Sequence, residues 1–137
     1  FGGGGNDTIS GGTGVDFLWG EAGADTITGG SNGDTLVGGT GSDTLTGGTG
    51  NDNIFMTSGA GGDGVLDTAI YDATGWGTDF IYDFEHGTDK IDMQGTGASS
   101  GTISITNVSG SAHVHYGADL IVVVGAGASL TTGDFIF

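Results

Sequence analysis

The chain has 137 residues, the length of one domain, with 33 glycines, no proline and no cysteine. Its formal net charge is −16 and Lys90 is its one basic residue. That balance excludes a nucleic-acid surface and attraction to anionic lipid, which need clustered Lys and Arg. Missing proline excludes collagen, and missing cysteine excludes disulfides and thiolate zinc sites. No apolar run approaches bilayer-spanning length, so no membrane insertion is expected; the longest, Leu120 to Val124, is of buried-strand length.

From Gly2 to Phe55 six nine-residue units follow one another without a break. They read GGGGNDTIS, GGTGVDFLW, GEAGADTIT, GGSNGDTLV, GGTGSDTLT and GGTGNDNIF, and follow the pattern G-G-x-G-x-D-x-U-x with U aliphatic. A short fixed period outweighs ordinary helix and strand preferences. The first six positions read as a glycine turn, because glycine accepts positive φ and close backbone approach. The last three read as a strand, in which alternation sends U to one face. The U residues are Ile9, Leu18, Ile27, Leu36, Leu45 and Ile54. Two units then form one coil, and two parallel sheets enclose a thin aliphatic core. Coils stack at about 4.7–4.9 Å.

Turns two units apart fall on the same side. Asp7, Asp25 and Asp43 form one column, and Asp16, Asp34 and Asp52 the other. Stacked carboxylates repel one another unless a cation sits between them. Calcium suits this geometry, taking roughly six to eight oxygen ligands at about 2.3–2.6 Å in irregular cages. Magnesium is smaller, prefers octahedral coordination and retains waters, so it suits a carbonyl-rich cage less. The turn positions expected to complete the cages are Gly3, Gly5, Gly12, Gly14, Gly20, Ala22, Gly23 and Gly29. Ser31, Asn32, Gly38, Thr40, Gly41, Gly47, Thr49 and Gly50 complete that set. Three turns per side enclose two gaps, which gives about four ions in the repeats. The plainer reading, aspartates that only cap solvated turns, suits a single G-x-D better than six in phase. Without a cation the acidic first half is expected to be disordered, and with one to fold. Glu21 and Asn32, which stand at glycine positions, mark the two weakest turns.

A seventh, degenerate turn is expected at Ser58-Gly59-Ala60-Gly61-Gly62-Asp63, with Asp63 extending the column of Asp43. The chain accordingly divides at residue 63, with the repeats in 1–63 and a β-rich capping region in 64–137. Asp79 to Asp83 reads as a strand with Phe80, Tyr82 and Phe84 on one face, placed to cover the open end of the solenoid. Thr102 to Val108, Ala112 to Tyr116, Leu120 to Val124 and Asp134 to Phe137 also read as strands, and Gly95 to Gly101 as a loop. The carboxylates at Asp79, Asp83, Asp89 and Asp92 either hold one or two further ions or form a solvated turn partnered by Lys90. The predicted fold class is all-β: a right-handed, calcium-stabilised parallel β-roll, a solenoid with a C-terminal strand cap.

The nonapeptide array resembles the RTX C-terminal regions of type I secreted bacterial proteins, among them serralysin-type proteases, lipases, toxins, epimerases and adhesins. The segment Thr78–Met93 is similar to the D-x-I-x-D-F-x-x-G-x-D-K-I-D run that follows such arrays. Leu130-Thr131-Thr132-Gly133-Asp134-Phe135-Ile136-Phe137 is similar to the family's terminal L-T-x-x-D-F and apolar residues. The resemblance implies a secretion signal at about 120–137, a type I exporter as partner and Phe137 as the natural C-terminus. It also implies an extracellular location, and a chain that opens inside a repeat is expected to be a fragment of a longer protein, monomeric in isolation.

No catalytic constellation emerges. Gly97-Ala98-Ser99-Ser100-Gly101 matches G-x-S-x-G, but without the strand before it or the helix after it. His113 and His115 share a strand face but lack a third ligand, and no H-E-x-x-H occurs. The leading functional reading is therefore a non-enzymatic, calcium-dependent folding and secretion module. The alternative is a ligand-binding module of a surface adhesin, taking a neutral glycan or ice. The irregular outward turn positions, such as Thr13/Val15, Ser31/Gly33 and Thr49/Asn51, argue against ice.

Overall fold

The computed structural model describes residues 1–58, 62–108, 110–125 and 130–137. In chain order its strands are β1 Gly3–Gly4, β2 Thr8–Thr13, β3 Phe17–Ala22, β4 Thr26–Ser31, β5 Thr35–Thr40, β6 Thr44–Thr49 and β7 Asn53–Thr57. They continue as β8 Thr68–Ile70, β9 Thr78–Tyr82, β10 Lys90–Asp92, β11 Ser104–Val108, β12 Ser111–Tyr116, β13 Asp119–Val124 and β14 Phe135–Ile136. The helical turns among the described residues are 3₁₀, at Gln94–Thr96 and Thr132–Asp134.

Odd and even strands separate into two sheets, as two units per coil require. One sheet runs β1-β3-β5-β7-β9-β13-β12-β11 and the other β14-β10-β8-β6-β4-β2. The pairings are parallel and in register at an offset of 18 residues through the repeats, for example Ile9↔Ile27↔Leu45 and Leu18↔Leu36↔Ile54. The same two ranks continue past the repeats, as Leu45↔Ala69↔Ile91↔Phe135 in one sheet and Ile54↔Ile81↔Val123 in the other. Ile27, Leu36, Leu45, Ile54, Ile81 and Ile91 are fully buried and form the spine of the core. After β13 the ladder changes sense: β12 and β11 add as an antiparallel meander, which ends the solenoid as a strand cap.

Two details differ from the sequence reading. Strands β2 to β6 span six residues instead of three, because the second glycine of a unit and the residue after it also pair with their equivalents one coil away (Gly12↔Gly30↔Gly48, Thr13↔Ser31↔Thr49). The tight turn thereby shrinks to the segment around G-x-D. In β9, Ile81 points inward, while Phe80 and Tyr82 are only partly buried and face outward. The register with Ile54 fixes that choice, so these two aromatics do not plug the end of the coil. Phe84 is buried because Asp83 takes φ 60 and breaks the alternation just before it.

The two outer faces differ in chemistry. One sheet presents Thr8, Thr26, Thr44 and Thr68 in a rank beside Ser10, Thr28 and Thr46. The other presents Trp19, Val37, Phe55 and Tyr82, with Phe55 and Tyr82 stacked at 4.5 Å.

Glu21 and Asn32 occupy left-handed backbone at φ 78 and φ 77. Asn tolerates this region; for Glu it costs on the order of 1–2 kcal/mol. Glu21→Gly should therefore raise the unfolding free energy at saturating calcium by up to about 1 kcal/mol, after the loss of unfolded-state order is subtracted. Urea titration of the variant beside the parent chain measures it.

Candidate metal centre

The aspartates of the repeats stand where a coil turns from one sheet to the other, and each carries the hydrogen-bond ladder round the corner. The Asp7 N–H donates to Asp25 Oδ1 at 2.8 Å and the Asp25 N–H to Asp43 Oδ1 at 2.9 Å. On the opposite rim the Asp16 N–H donates to Asp34 Oδ1 at 2.9 Å and the Asp34 N–H to Asp52 Oδ1 at 2.8 Å. Each backbone carbonyl in turn accepts from the residue after the next aspartate, as in Thr44 N–H to Asp25 O. One carboxylate oxygen thus does the work of a peptide carbonyl.

The second oxygen is left over. Oδ2 of Asp7, Asp16, Asp25, Asp34, Asp43, Asp52 and Asp79 is buried without a hydrogen-bond partner. Such atoms are costly unless something satisfies them. The Oδ2 atoms also have oxygen neighbours. A Cβ placed on Gly29 would lie 2.6 Å from both Asp34 Oδ2 and Gly47 O, and one on Gly38 would lie 2.5 Å from Asp43 Oδ2 and 2.6 Å from Met56 O. Glycine is therefore required there, and carboxylate and carbonyl oxygens converge around its bare Cα.

The turn residues named from the sequence lie along the two rims. Gly3, Gly5, Gly20, Ala22, Gly23, Gly38, Thr40 and Gly41 accompany Asp7, Asp25 and Asp43, with Gly5 N–H donating to Ala22 O and Gly23 N–H to Thr40 O. Gly12, Gly14, Gly29, Ser31, Asn32, Gly47, Thr49 and Gly50 accompany Asp16, Asp34 and Asp52, with Thr13↔Ser31↔Thr49 in register.

Beyond the repeats the columns continue through other residues than those expected. Asp67, not Asp63, follows Asp43: its Oδ1 accepts the Asp43 N–H at 2.7 Å. Asp63 instead accepts from the Gly41 and Val65 N–H groups at the rim. The expected seventh turn includes residues 59–61, which lie outside the described residues. Asp89 then follows Asp67, and Asp79 follows Asp52 at 2.9 Å. Asp79 and Asp89 therefore belong to opposite rims. Asp83 lies in neither column, and Asp92 caps the Gln94 N–H. The supposed cluster of Asp79, Asp83, Asp89 and Asp92 is thus dispersed. The missed aspartate was marked by Asp67-Thr68-Ala69, a D-x-U triplet with alanine as U, preceded by Gly61-Gly62-Asp63-Gly64-Val65-Leu66, a glycine run one residue longer than the repeat's turn.

Among the described residues no three His, Asp or Glu side chains converge on one point, so a cation would need backbone oxygens as well. The Ser99–Ser100 stretch lies on an exposed loop, and the His113 and His115 rings stand 6.5 Å apart on β12 without a third ligand.

Burial leaves its mark on the carboxyl groups. Desolvation pushes Asp43 up to about 6 and Asp67 and Asp79 to about 7, against the hydrogen bonds they accept; it also raises Asp52 and Asp89. Nearby carboxylates add to each rise: column neighbours for Asp43, Asp52, Asp67 and Asp79, and Glu85 and Asp63 for Asp89. Asp134 moves the other way. Burial raises it, but hydrogen bonds from Thr131 and Gly87 and the nearby His86, 2.9 Å away, outweigh that and lower it.

The donor set is all oxygen, anionic and carbonyl, with no sulfur, which fits a hard divalent cation such as calcium. The fold and these rims define a parallel β-roll with acidic turns. A family model, the RTX calcium-binding nonapeptide repeat (4 copies), matches residues 1–36 and 28–65. The array is a member of the RTX calcium-binding nonapeptide repeats. No curated protein matches the chain in sequence. Among solved structures, the AlgE6R2 subunit of the Azotobacter vinelandii mannuronan C5-epimerase is similar at TM-score 0.60 and 24% identity, over 98% of this chain and 91% of that one. The extracellular lipase LipA of Serratia marcescens is similar at TM-score 0.54 and 21% identity, over 97% of this chain but 20% of the lipase. The AlgE6R3 subunit of the same Azotobacter epimerase follows at TM-score 0.53 and 19% identity, over 96% of this chain and 79% of that one. At these identities the likeness is one of fold.

The raised carboxyl groups set a pH dependence. A folded-state pKa above the unfolded value gives stability that is complete below the unfolded value and lost as pH rises through the folded one. In chelator, the chain should therefore gain strand signal on acidification from above pH 7, the folded-state value of Asp67 and Asp79, towards 3.8, the ordinary value for aspartate. Circular dichroism across that window reads it, and a flat signal removes the assignment of buried carboxyl groups to the apo fold.

Proposed function

We propose that the chain is a calcium-binding module that folds when it meets calcium outside the cell and serves type I secretion of a larger extracellular protein. One observation carries the reading: two columns of buried aspartates each leave an oxygen unsatisfied, in a chain of charge −16 with a single lysine. That lysine donates to Gly133 O and neutralises neither column. RTX repeats bind calcium as a family, and the columns here offer the oxygen donors the ion takes.

Successive aspartates of each column enclose the gaps counted from the sequence, about four within the array. The continuation through Asp67, Asp89 and Asp79 adds further gaps beyond it. Extracellular calcium modules bind at roughly 10⁻⁴–10⁻³ M, well above cytosolic calcium. Inside the cell the array stays unfolded and fit for threading through an exporter; outside, binding free energy becomes folding free energy. The absence of proline leaves no slow isomerisation in that step. The segment Leu130–Phe137 is the part an exporter would read. In the folded chain that segment includes strand β14, paired with β10 through Ile91↔Phe135, so export precedes folding. The module itself is non-catalytic, and any activity resides in the parent protein.

Circular dichroism during calcium titration tests the switch. Strand signal should be low in chelator at pH 7.5 and rise cooperatively through the millimolar range; full signal in excess chelator ends the proposal. Deleting Thr131–Phe137 should in addition abolish export of a fused passenger by a type I system.

A second reading, neutral-glycan binding, is favoured by the aromatic outer face. A groove of about 420 Å³ there is lined by Phe17, Trp19, Val37, Phe55, Thr35 and Asp83, and carries no cation for a polyuronate. Glycan-array binding that disappears in Trp19→Ala is the outcome that favours it.

A further inference from the structure

The fourth unit, GGSNGDTLV, sets Asn32 directly before Gly33, the one Asn-Gly pair in the chain. Asparagine is thermolabile, because the peptide nitrogen that follows can attack its side-chain amide. A glycine in that position carries no side chain to hinder the approach. Asn53 and Asn107 instead precede the β-branched Ile54 and Val108, and Asn6 and Asn51 precede Asp7 and Asp52. Asn6 and Asn51 are also held, since their Oδ1 atoms accept the Ala24 and Thr78 N–H groups at 3.0 Å each. Asn32 is exposed, and its side-chain amide makes no hydrogen bond among the described residues.

What holds Asn32 is its backbone. It takes the left-handed φ of 77, and the next coil lies directly on it. A Cβ placed on Gly50 would lie 2.5 Å from both the carbonyl carbon and the carbonyl oxygen of Asn32, and one on Gly33 would lie 2.7 Å from Asn51 O. The main chain of residues 32 and 33 is thus pressed beneath the turn of the sixth unit. Ring closure needs that main chain to rotate until Gly33 N reaches Asn32 Cγ, and the stacked coil leaves no room for the rotation. The clamp exists only while the coils are stacked.

We infer that Asn32-Gly33 is a self-modification site gated by calcium: it reacts in the unstacked chain, and stacking of the coils prevents the reaction. This rests on the calcium reading above, which makes stacking conditional on the ion. In the reaction the bond from Gly33 N to Asn32 Cγ forms, the Cγ–Nδ2 bond breaks, and ammonia leaves with the Gly33 amide proton. Water then opens the succinimide at either carbonyl. One opening gives aspartate; the other gives isoaspartate, in which the main chain runs through Cβ. Isoaspartate lengthens the main chain by a methylene two residues before Asp34. Asp34 serves two corners of its rim at once, since its Oδ1 accepts the Asp16 N–H and its own N–H donates to Asp52 Oδ1. A turn of altered length cannot keep both in register. The site therefore records time spent without calcium, and chains that wait too long lose a rim.

The experiment ages the full chain at mildly alkaline pH in calcium chloride, in chelator, and in chelator with guanidinium chloride. Chymotryptic cleavage after Trp19 and Leu36 isolates residues 20–36, in which Asn32 is the one asparagine. Mass spectrometry and isoaspartate detection on that peptide follow the reaction. Conversion should be fast in guanidinium and in chelator and at least about tenfold slower in calcium, because the rate follows the population of the open state. No conversion in guanidinium overturns the site, and equal rates in calcium and guanidinium overturn the clamp. Slow conversion in chelator overturns the gating; full strand signal there ends the calcium reading as well, whereas a low signal leaves that reading standing. Chains aged in chelator are then returned to calcium. The isoaspartate-containing fraction should fall short of full strand signal, while Asn32→Gly, which cannot react, should return to its own unaged signal. That variant also corrects for Asp63-Gly64, where an aspartate can close the same ring with loss of water. Full recovery of the isoaspartate-containing chain overturns the effect on the Asp34 rim.

Discussion

The structure depends on one divided carboxylate. In Asp25, Asp34, Asp43 and Asp52 one carboxylate oxygen accepts a peptide N–H from the neighbouring coil, and the other is buried with nothing to bond. The first interaction makes the corner a continuation of the sheet. The second makes the corner unfavourable in isolation, because a desolvated anion faces another about one strand spacing away. A fold that joins a structural requirement to an electrostatic cost at the same atom group is conditional on whatever offsets that cost.

The aliphatic core is too thin to carry the fold unaided. Within the array the fully buried aliphatic side chains come one to a strand, Ile27, Leu36, Leu45 and Ile54, joined by Met56 at its end. There are no disulfides, and ion pairing between side chains is confined to His86 and Asp134 among the described residues. The antiparallel meander of β11 to β13 and the aromatic group of Tyr71, Trp76 and Tyr116 give the far end a broader core than the repeats possess. Stability is therefore uneven along the axis, with aromatic and aliphatic burial broadest at the C-terminal end.

The repeats were legible because their period fixes both the coil and the side of every aspartate. What followed was less so, for definite physical reasons. Asp67 lies 24 residues after Asp43 instead of 18, and its U position is Ala69, which carries little hydrophobic signal. Alternation in Asp79–Asp83 separates two faces but cannot say which is inward; that depends on the pairing with β7, a contact between distant segments. The reach of the terminal residues back to β10 was equally invisible, since parallel pairing of β14 with β10 is set by the chain's return path and not by any local pattern. Asp63 misled because it has the right residue type at nearly the right distance, while the ladder selects the aspartate that directly precedes a paired strand.

The offset of 18 residues between neighbours in a sheet has a consequence for how such a chain can lengthen. A single added or lost unit of nine residues would carry every later strand to the opposite sheet. The threonine and aromatic faces would exchange residues from that point on, and each later aspartate would change rims. Growth that preserves two distinct faces must come in whole coils. Beyond the array the connections lengthen, as the 24, 27 and 22 residue steps to Asp67, Asp79 and Asp89 illustrate. Register there is kept by the ladder and no longer by the count.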